Sequence, residues 1–382
     1  MEVEKMEVVG IVAEYNPFHQ GHRWQIAQIR QKLGTCAVVC CMSGNWVQRG
    51  ECAVTDKWTR AKMALEGGAD LVLDLPTPWA VSSAEAFARG AVSALTAAGI
   101  TTLCFSSELG DLVPLQQAAA VLDGADFPAA LRAQLEMGLP FPVARQRAAE
   151  QLLGGNADFL SRPNNILAIE YLRALPPGIT PLTLQRQGAD HDDHTPGDFP
   201  SASALRAVLR RENGGADSGF PGEIATMNRC ERAILAKLRG MTAADFLEIP
   251  DCDRELAGRL VTAAAGATSL DTLYDLAKTK RYTHARVRRA VLWAYLGLTA
   301  ADRPEAVPYL RVLGMDETGQ ALLKGLKKTC PLPLITKPAQ YRKLLAMEGS
   351  CTDLFGLCFA DILPAGREFT ENPVVWQKAS PR

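Results

Sequence analysis

The feature that most constrains this chain is a short apolar run near its N-terminus, followed at once by a turn and two histidines. Residues 8–13 (VVGIVA) are rich in β-branched side chains, which is typical of a buried strand in a parallel sheet. Asn16-Pro17 interrupts the run, and residues 23–32 then show the apolar spacing of a helix. The pattern predicts a strand, a tight turn and a helix that begins near His19 and His22.

His19 and His22 are three residues apart, so their side chains share one face of the predicted helix. A helix N-terminus offers free backbone N–H groups and the positive end of the helix dipole. Two imidazoles added there can donate hydrogen bonds to a nucleoside triphosphate and stabilise the charge that develops when its α-phosphorus is attacked. His19 and His22 are therefore candidate catalytic residues. The simpler alternative is a pair of surface histidines at a helix start.

The first half of the chain alternates predicted strands and helices. Further strands are expected at residues 37–42, 69–75, 101–105 and 182–186. This alternation predicts an α/β domain with a doubly wound parallel sheet, whose ligand binds outside the carboxyl ends of the strands. Polar loops follow four of the strands, at residues 14–22, 43–51, 76–80 and 106–108. The sequence therefore predicts a single site at that edge of the sheet.

The second half of the chain is predicted to be mostly helical. A length of 382 residues favours two domains, and the composition of residues 212–222 is that of a linker. We expect domains at 1–212 and 223–382, with helical patterns continuing through residues 305–345. Basic residues concentrate in the second segment and form either solvated helix faces or a track for an RNA backbone. The candidates for RNA binding are Lys280, Arg281, Arg286, Arg289, Lys327 and Lys328.

Composition narrows the class of protein. The formal net charge of −1 gives no general attraction for nucleic acid, so RNA binding would need local basic patches. Ten cysteines without a C-x-x-C pair predict reduced thiols rather than disulfides or a zinc site. Acidic residues among the first seven positions and the lack of a long apolar run predict no signal peptide, no membrane span and a cytoplasmic location.

The string GIVAEYNPFHQGH at residues 10–22 resembles the signature of the tRNA(Met) cytidine acetate ligase family, in the HIGH-motif nucleotidyltransferase superfamily. Similar strings recur at residues 42–51, 56–62, 68–72, 163–167, 280–283 and 309–314, so the resemblance covers most of the chain. It implies a Rossmann-like domain of the HUP type followed by a helical domain. It also implies an AMP-forming ligase that activates acetate with ATP and acetylates N4 of the wobble cytidine of elongator tRNA(Met). No oligomeric state is implied.

The resemblance also implies where ATP binds. Carried over by position, the segment that would wrap the nucleotide consists of Val12, Ala13, Glu14, Tyr15, Asn16, Pro17, Phe18, His19, Gln20, Gly21, His22, Arg23, Trp24 and Gln25. Ser106, Asn164 or Asn165, and Arg186 would complete the pocket. The string SASALR at residues 201–206 resembles the second signature of the superfamily, and its Ser203 and Arg206 would help to hold the pyrophosphate. Mg²⁺ would accompany the triphosphate, with no side chain assigned as its ligand.

Two positions depart from the family pattern. Residues 105–108 read FSSE where the family has FGSE, and Ser106 restricts the close approach that glycine allows. Residues 190–194 (DHDDH) replace a Tyr-His-Asp string; a structural zinc there is the less favoured interpretation. Asn164 and Asn165 have a structural alternative as helix caps.

Two other functions stay open at this point. One is a small-molecule adenylyltransferase that transfers AMP to a phosphorylated acceptor; the other is a non-catalytic RNA-binding protein. Reversing the charge of Arg286 and Arg289, which share a helix face, is expected to weaken tRNA binding and spare acetyl-adenylate formation. A chain ending near Asn213 is expected to bind ATP, if its core stays folded, and to lose acetyl transfer.

Overall fold

The structure is a computed structural model that describes residues 6–155, 157–186, 202–211 and 220–377. Its strands are β1 (Glu7–Ala13), β2 (Cys36–Ser43), β3 (Trp46–Val47), β4 (Glu51–Cys52), β5 (Leu71–Leu75), β6 (Thr102–Ser107), β7 (Thr180–Gln185), β8 (Leu310–Met315), β9 (Leu334–Ile335) and β10 (Val374–Val375). Its helices are α1 (Gln20–Leu33), α2 (Lys57–Glu66), α3 (Thr77–Ala80), α4 (Ala84–Ala97), α5 (Leu112–Asp123), α6 (Phe127–Glu136), α7 (Phe141–Leu153), α8 (Pro163–Ala174), α9 (Ala202–Arg211), α10 (Glu231–Arg239), α11 (Ala243–Leu247), α12 (Arg254–Gly266), α13 (Leu270–Ala277), α14 (His284–Leu296), α15 (Glu317–Thr329), α16 (Ala346–Phe355) and α17 (Arg367–Thr370).

One sheet organises the molecule. Its strands follow the order β10-β8-β5-β2-β1-β6-β7, and β9 pairs with β8. The pairs among β5, β2, β1, β6 and β7 are parallel, which confirms the predicted α/β fold and its five strands. The chain passes from β1 to β2 on one side and later to β6 on the other, so β1 lies at a topological switch point. Ligands of such sheets bind outside the carboxyl ends of the strands at that point.

The sheet is covered on both faces, and every residue of β2 is buried. Successive residues of a strand point to opposite faces, and β2 shows this clearly. Val39 and Cys41 pack with α4, while Val38 and Cys40 pack with α1 and α2. Because each face has its own apolar core, the orientation of the strands, and hence of the loops that follow them, is fixed.

A helical layer follows the sheet domain in sequence. Helices α10 to α14 enclose a third apolar core that also takes Trp46, Cys52 and Val81 from the first half of the chain. The indole of Trp46 donates to the carbonyl of Cys351 at 2.9 Å, and that of Trp293 donates to the carbonyl of Val81 at 2.7 Å. The helical layer is thus joined to the loops at the carboxyl edge of the sheet.

The prediction that residues 305–345 continue as helices is wrong at residues 310–315. These residues form β8, which pairs antiparallel with β5, and β10 then pairs parallel with β8. The misassignment has a physical reason: a short, doubly buried apolar run carries no periodicity that separates strand from helix. Segment 223–382 therefore contributes both the helical layer and three strands of the sheet. The division into independent domains at 1–212 and 223–382 stays a prediction, since most of the linker lies outside the described residues.

Across the described residues, no helix is both long and apolar enough to cross a membrane.

Candidate active site

A cavity of about 470 Å³ opens at the carboxyl edge of the sheet, beside β1. Its walls come from the β1–α1 turn, the β3–β4 hairpin, the ends of β6 and β7, and the first turns of α4, α8 and α9. The residues of the predicted nucleotide site that line it are Val12, Ala13, Glu14, Tyr15, Asn16, His19, Gly21, His22, Trp24, Gln25, Ser106, Asn164, Arg186 and Arg206. The structure thus brings together residues that are far apart in sequence.

Six predicted residues do not line the cavity: Pro17, Phe18, Gln20, Arg23, Asn165 and Ser203. Phe18 is buried and packs on Tyr15, with ring centroids 4.9 Å apart. Arg23 is exposed and donates to the carbonyl of Glu66 at 3.4 Å. The hydroxyl of Ser203 accepts from the guanidinium of Arg206 at 3.1 Å, so it supports a lining residue from behind.

The two histidines cap the start of α1. Nδ1 of His19 accepts from the backbone N–H of Gly21 at 3.1 Å, and Nδ1 of His22 accepts from the backbone N–H of His19 at 3.2 Å. The rings are stacked with centroids 3.8 Å apart. A neutral imidazole that accepts at Nδ1 carries its proton on Nε2, so this network assigns the same tautomer to both residues. Each histidine therefore keeps one Nε2–H donor for a ligand.

Both imidazoles are neutral near neutral pH. Burial, with Arg186 and Arg206 nearby, lowers the pKa of His19 to about 4. Burial, together with His19 and Arg186, lowers the pKa of His22 well below its usual range. The histidines therefore act as hydrogen-bond donors rather than cations, and the positive charge of the cavity comes from arginines.

The turn between β1 and α1 is held by a buried arginine. Arg60 of α2 donates to the backbone carbonyls of Glu14 at 2.8 Å, Ser43 at 3.0 Å and Thr55 at 3.1 Å, and also to the carbonyl of Gly44. Burial lowers the pKa of Arg60 to about 10. The sequence analysis gave Arg60 no role, since nothing local shows that its partners are carbonyls from three separate loops.

The backbone of Tyr15 has a φ of 45°, in the left-handed region that a bulky residue rarely adopts. The ring is buried, and its hydroxyl lies 3.3 Å from Sγ of Cys40. Such conformations persist only where the surroundings fix them, and they concentrate at functional sites. The turn that presents His19 is therefore a rigid, strained segment.

Four arginines line the cavity: Arg49, Arg186, Arg206 and Arg289. Glu14 is the only carboxylate among the described residues that line it. Arg206 also donates to the carbonyl of Asn16 at 2.8 Å, so it is fixed against the β1–α1 turn. This excess of positive charge suits a polyanion such as a triphosphate. Gln48 and Arg49 lie in a polar loop that the sequence analysis placed at this edge, although it assigned them no contact.

The two candidate asparagines in the first turn of α8 have different surroundings. Glu108 accepts from the backbone N–H groups of Asn164 at 3.0 Å and Asn165 at 2.7 Å, so this helix N-terminus is already occupied by a carboxylate. Asn165 is buried and bonds to the backbone of Leu109 and Phe159. Asn164 lines the cavity, so the structure favours it over Asn165 as a ligand contact.

One wall of the cavity is apolar, and no local pattern in the sequence points to it. It is formed by Ala84, Phe87, Phe105, Ile166, Leu167 and Tyr171. These side chains come from α4, β6 and α8, so only the packing of the three elements reveals them. An apolar wall next to a charged one fits a ligand with a flat aromatic part and an anionic part.

The predicted RNA-binding residues lie in different places. Arg281 pairs with Glu255 at 2.7 Å, and Arg286 donates to the carbonyl of Asp251 at 2.8 Å and contacts Asp253 at 3.4 Å. Lys280 is exposed on the loop before α14, whereas Arg289 lines the cavity.

Lys327 and Lys328 lie in the last turn of α15. Leu326 of the same turn lines a separate groove with Gly99, which precedes β6 at the opposite edge of the sheet. The structure therefore does not bring Lys327 and Lys328 near the cavity.

Some sequence features lie outside the described residues, namely residues 190–194 and Ser201 of the second signature. Within the described ranges, no group of three His, Cys, Asp or Glu side chains is placed to hold a metal ion.

Comparisons with known proteins agree with this geometry. The chain is 34% identical to the protein named tRNA(Met) cytidine acetate ligase from Acetivibrio thermocellus and 35% identical to that from Clostridium perfringens. Each alignment covers 97% of this chain and 100% of the relative. The crystal structure of Thermotoga maritima TmcAL in its apo form is 28% identical, with a TM-score of 0.90 over 98% of this chain and 100% of that one.

A second crystal structure of Thermotoga maritima TmcAL, bound with alpha-thio ATP, gives a TM-score of 0.88 over the same shares of the two chains. The family model described as HIGH Nucleotidyl Transferase matches residues 6–367. This chain therefore belongs to the tRNA(Met) cytidine acetate ligase family of the HIGH nucleotidyltransferases.

Proposed function

We propose that this protein activates acetate with ATP and transfers the acetyl group to N4 of the wobble cytidine of elongator tRNA(Met), with release of AMP and pyrophosphate. The observation that carries the proposal is a single cavity at the switch point of the sheet, in which the His19–His22 helix N-terminus meets four arginines. Full-length similarity to relatives with this name supports the choice of acetate and tRNA.

In the first step an acetate oxygen attacks the α-phosphorus of ATP, and the bond to the pyrophosphate breaks. The Nε2–H groups of His19 and His22 donate to the phosphate oxygens on which charge accumulates. Since both imidazoles are already desolvated and fixed by backbone caps, they need no reorganisation during the reaction. Arg186 and Arg206 lie beside the histidines and offset the charge of the departing pyrophosphate, with Ser203 holding Arg206 in place.

The remaining predicted contacts orient the nucleotide. The adenine ring lies against the apolar wall near Phe105 and Leu167, with Ser106 and Asn164 at its edge. Ser106 replaces the glycine of the family pattern and offers a hydroxyl to the ligand. Residues 12–25 form the turn around the phosphates, although Pro17, Phe18, Gln20 and Arg23 support that turn without lining the cavity.

Mg²⁺ would accompany ATP and neutralise part of the phosphate charge. Among the described residues no group of three carboxylate, imidazole or thiol side chains is placed to hold a metal, so the ligands of the ion would be phosphate oxygens and water. The protein needs no covalent nucleophile, because acetyl-adenylate already carries a good leaving group.

The tRNA would approach over the mouth of the cavity on the side of α14. Arg289 lies in the cavity, and Lys280 and Arg281 are exposed on the loop that leads into α14. Arg286 was predicted to bind RNA as well, but its guanidinium contacts Asp251 and Asp253. Lys327 and Lys328, which were also predicted to bind RNA, would have to contact a more distant part of the tRNA. We expect the enzyme to work in the cytoplasm, where its tRNA substrate is found.

The proposal is tested by measuring acetate-dependent exchange of pyrophosphate into ATP, together with transfer of radiolabelled acetate to bulk tRNA. The RNA is digested and the labelled nucleoside identified. Label in N4-acetylcytidine supports the proposal. Absence of label from the RNA, with AMP appearing on a small phosphorylated acceptor, would instead support the adenylyltransferase alternative.

A further inference from the structure

Glu14 belongs to the segment predicted to wrap the nucleotide, but none of the contacts proposed for ATP uses its carboxylate or the guanidinium of Arg289. Glu14 lies just past β1, Gln48 lies in the β3–β4 hairpin and Arg289 lies on α14, and all three line the cavity. One oxygen of Glu14 accepts from the backbone N–H of Gln48 at 2.8 Å. On the other side of the same residue, Nη1 of Arg289 approaches the carbonyl of Gln48 at 3.5 Å. The backbone of Gln48 therefore lies between the two charged side chains.

Both side chains have unused hydrogen-bonding capacity. The bond from Gln48 is the only one that the carboxylate of Glu14 accepts from the described residues. Arg289 has no carboxylate within ion-pair distance in the described part of the chain, and its contact with Gln48 is long. Both side chains are partly buried, and burial raises the pKa of Glu14 and lowers the pKa of Arg289. Buried polar groups of this kind are normally satisfied by a partner.

The order of the strands places Glu14 at the boundary between the nucleotide wall and the β3–β4 hairpin. β1 lies between β2 and β6, and Ser106, Asn164 and Arg186 lie on the side of β6 and β7. Gln48 lies on the side of β2, since the β3–β4 hairpin follows that strand, and Arg289 approaches the carbonyl of Gln48. With ATP on the β6 side, the pair faces the space left for the acceptor of the acetyl group.

We propose that Glu14 and Arg289 bind the target cytosine, and that Glu14 is the general base of the acetyl transfer. This inference rests on the proposed function. The base-pairing edge of cytosine presents an amine donor at N4 beside the acceptors N3 and O2. The free oxygen of Glu14 accepts from N4–H, while the guanidinium of Arg289 donates to N3 and O2. Uracil would place its O4 acceptor against the carboxylate of Glu14, so the same pair selects cytosine over uracil.

The transfer step is balanced without a further reactant. The N4 nitrogen attacks the carbonyl carbon of acetyl-adenylate, and a C–N bond forms. The C–O bond to the phosphate breaks, and AMP leaves with the electron pair. The proton on N4 passes to the free oxygen of Glu14, which releases it to solvent after the product departs.

The charged and titratable groups around Glu14 are Arg49 and Glu51 of the hairpin, Arg60 of α2, Arg206 of α9 and Tyr171 of α8.

The test measures the two half-reactions, acetyl-adenylate formation and acetyl transfer to tRNA, separately in the variant Glu14→Gln. This variant keeps an oxygen that can accept from the backbone of Gln48, but it cannot take up a proton. We expect transfer of acetyl to tRNA to fall by ~10²–10⁴, while acetate-dependent pyrophosphate exchange falls far less. In the wild type the transfer rate should decline at low pH as Glu14 is protonated, and this decline should be lost in the variant.

Two further variants sharpen the test. Glu66→Gln removes an exposed carboxylate of α2 that lies 4.0 Å from Lys62 and does not line the cavity. Its ratio of transfer to exchange should stay at the wild-type value. Arg289→Gln should raise the KM for tRNA by a larger factor than it lowers the rate of exchange.

Outcomes for the inference and for the proposed function are distinct. Wild-type protein that neither exchanges pyrophosphate with acetate nor labels cytidine would reject the proposed function itself. If the wild type does both, equal losses of exchange and transfer in Glu14→Gln would show that Glu14 serves ATP, and the inference fails. Retained transfer in that variant, or an unchanged KM for tRNA in Arg289→Gln, would also overturn it.

Discussion

A single proton on each imidazole decides what the start of α1 can do chemically. The backbone N–H groups of Gly21 and His19 occupy the Nδ1 atoms, so the remaining proton of each ring is at Nε2. Burial keeps the rings neutral and removes competing water. The same residues therefore cap the helix and provide the donors, which couples catalysis to local helix stability.

Replacing His22 tests this double role. We expect His22→Ala to lower acetate-dependent pyrophosphate exchange by ~10²–10³, because one preorganised donor to the α-phosphate is lost. The lost cap should cost about 1 kcal/mol of stability, so the variant should stay folded. Exchange is measured beside thermal melting, with Arg23→Ala as control, since Arg23 is the exposed neighbour on α1. Near-normal exchange by folded His22→Ala would contradict the assignment.

The lowered pKa of His19 also predicts how stability depends on pH. The unfolded chain binds a proton at His19 near pH 6.5, whereas the folded chain does so only near pH 4. Between these values the unfolded state holds more protons, so acidification through this window destabilises the fold. Urea unfolding at about pH 7 and about pH 5 should show a larger loss of unfolding free energy in the wild type than in His19→Gln. Equal losses would mean that His19 titrates normally in the folded protein.

At the scale of elements, the β3–β4 hairpin is pressed between the cavity and α14. Gly50 has a φ of +74°, and a Cβ atom there would lie 2.5 Å from the backbone nitrogen of Arg289 and 2.6 Å from the carbonyl carbon of Arg288. Only glycine allows this approach. The position of Gln48 and Arg49 in the cavity therefore depends on a backbone contact with the helical layer.

Gly50→Ala should destabilise the protein and move the hairpin. We expect backbone strain alone to lower the free energy of unfolding by at least about 1–3 kcal/mol, and the clash with α14 to lower it further. Activity should also fall, because the hairpin that carries Gln48 and Arg49 moves. Gly138→Ala is a matched control, because Gly138 has a φ of +79° and no atom within 4 Å of the added Cβ. Unfolding free energies of the two variants are compared in urea. Equal losses would show that the contact with α14 contributes nothing.

At the scale of the whole molecule, a buried cluster of charges joins distant parts of the chain. The Lys57 ammonium lies 2.5 Å from Asp74 and 2.7 Å from Glu368, and Glu368 also contacts Arg311 at 3.5 Å. Burial disfavours the charged amine, but the carboxylates of Asp74 and Glu368 more than compensate and raise the pKa of Lys57. The cluster connects α2, β5, β8 and α17, so α17 is fixed to the part of the sheet formed by β5 and β8.

Removing the cation should therefore destabilise the whole fold. Lys57→Met leaves the buried carboxylates without their partner, and we expect the free energy of unfolding to fall by about 3–5 kcal/mol. Lys62→Met on the same helix is the control, since Lys62 is exposed and its distance to Glu66 is 4.0 Å; it should cost at most about 1 kcal/mol. Both values come from urea unfolding, and similar losses in the two variants would contradict the role given to the cluster.

The structure also changes the outcome expected for a truncated chain. Ending the chain near Asn213 would remove β8 and expose the apolar edge of β5. It would also take Glu368 and Arg311 from the buried cluster and uncover Trp46. We therefore expect residues 1–213 neither to fold cooperatively nor to bind ATP. Circular dichroism during thermal melting and ATP titration check this, and a cooperative transition with ATP binding would show that the first half folds alone.

Local patterns were sufficient to predict much of this molecule. The strands β1, β2, β5, β6 and β7 follow from short apolar runs bounded by turns, because burial on both faces leaves little freedom in composition. The position of His19 and His22 at a helix start follows from the same local spacing. The carboxyl ends of parallel strands share one edge, so the polar loops could be assigned to one site before any contact was known.

Contacts between remote segments depended on the tertiary structure. Asn164 rather than Asn165 faces the cavity because of the rotation of α8 about its axis. The spacing of residues in the sequence does not determine this rotation. Arg289 reaches the cavity only because α14 packs on the β3–β4 hairpin, and β8 is a strand only because β5 offers it an edge. Each of these features is a pairing between residues far apart in the chain. A local pattern shows that a side chain or strand needs a partner, but only packing decides which partner it meets.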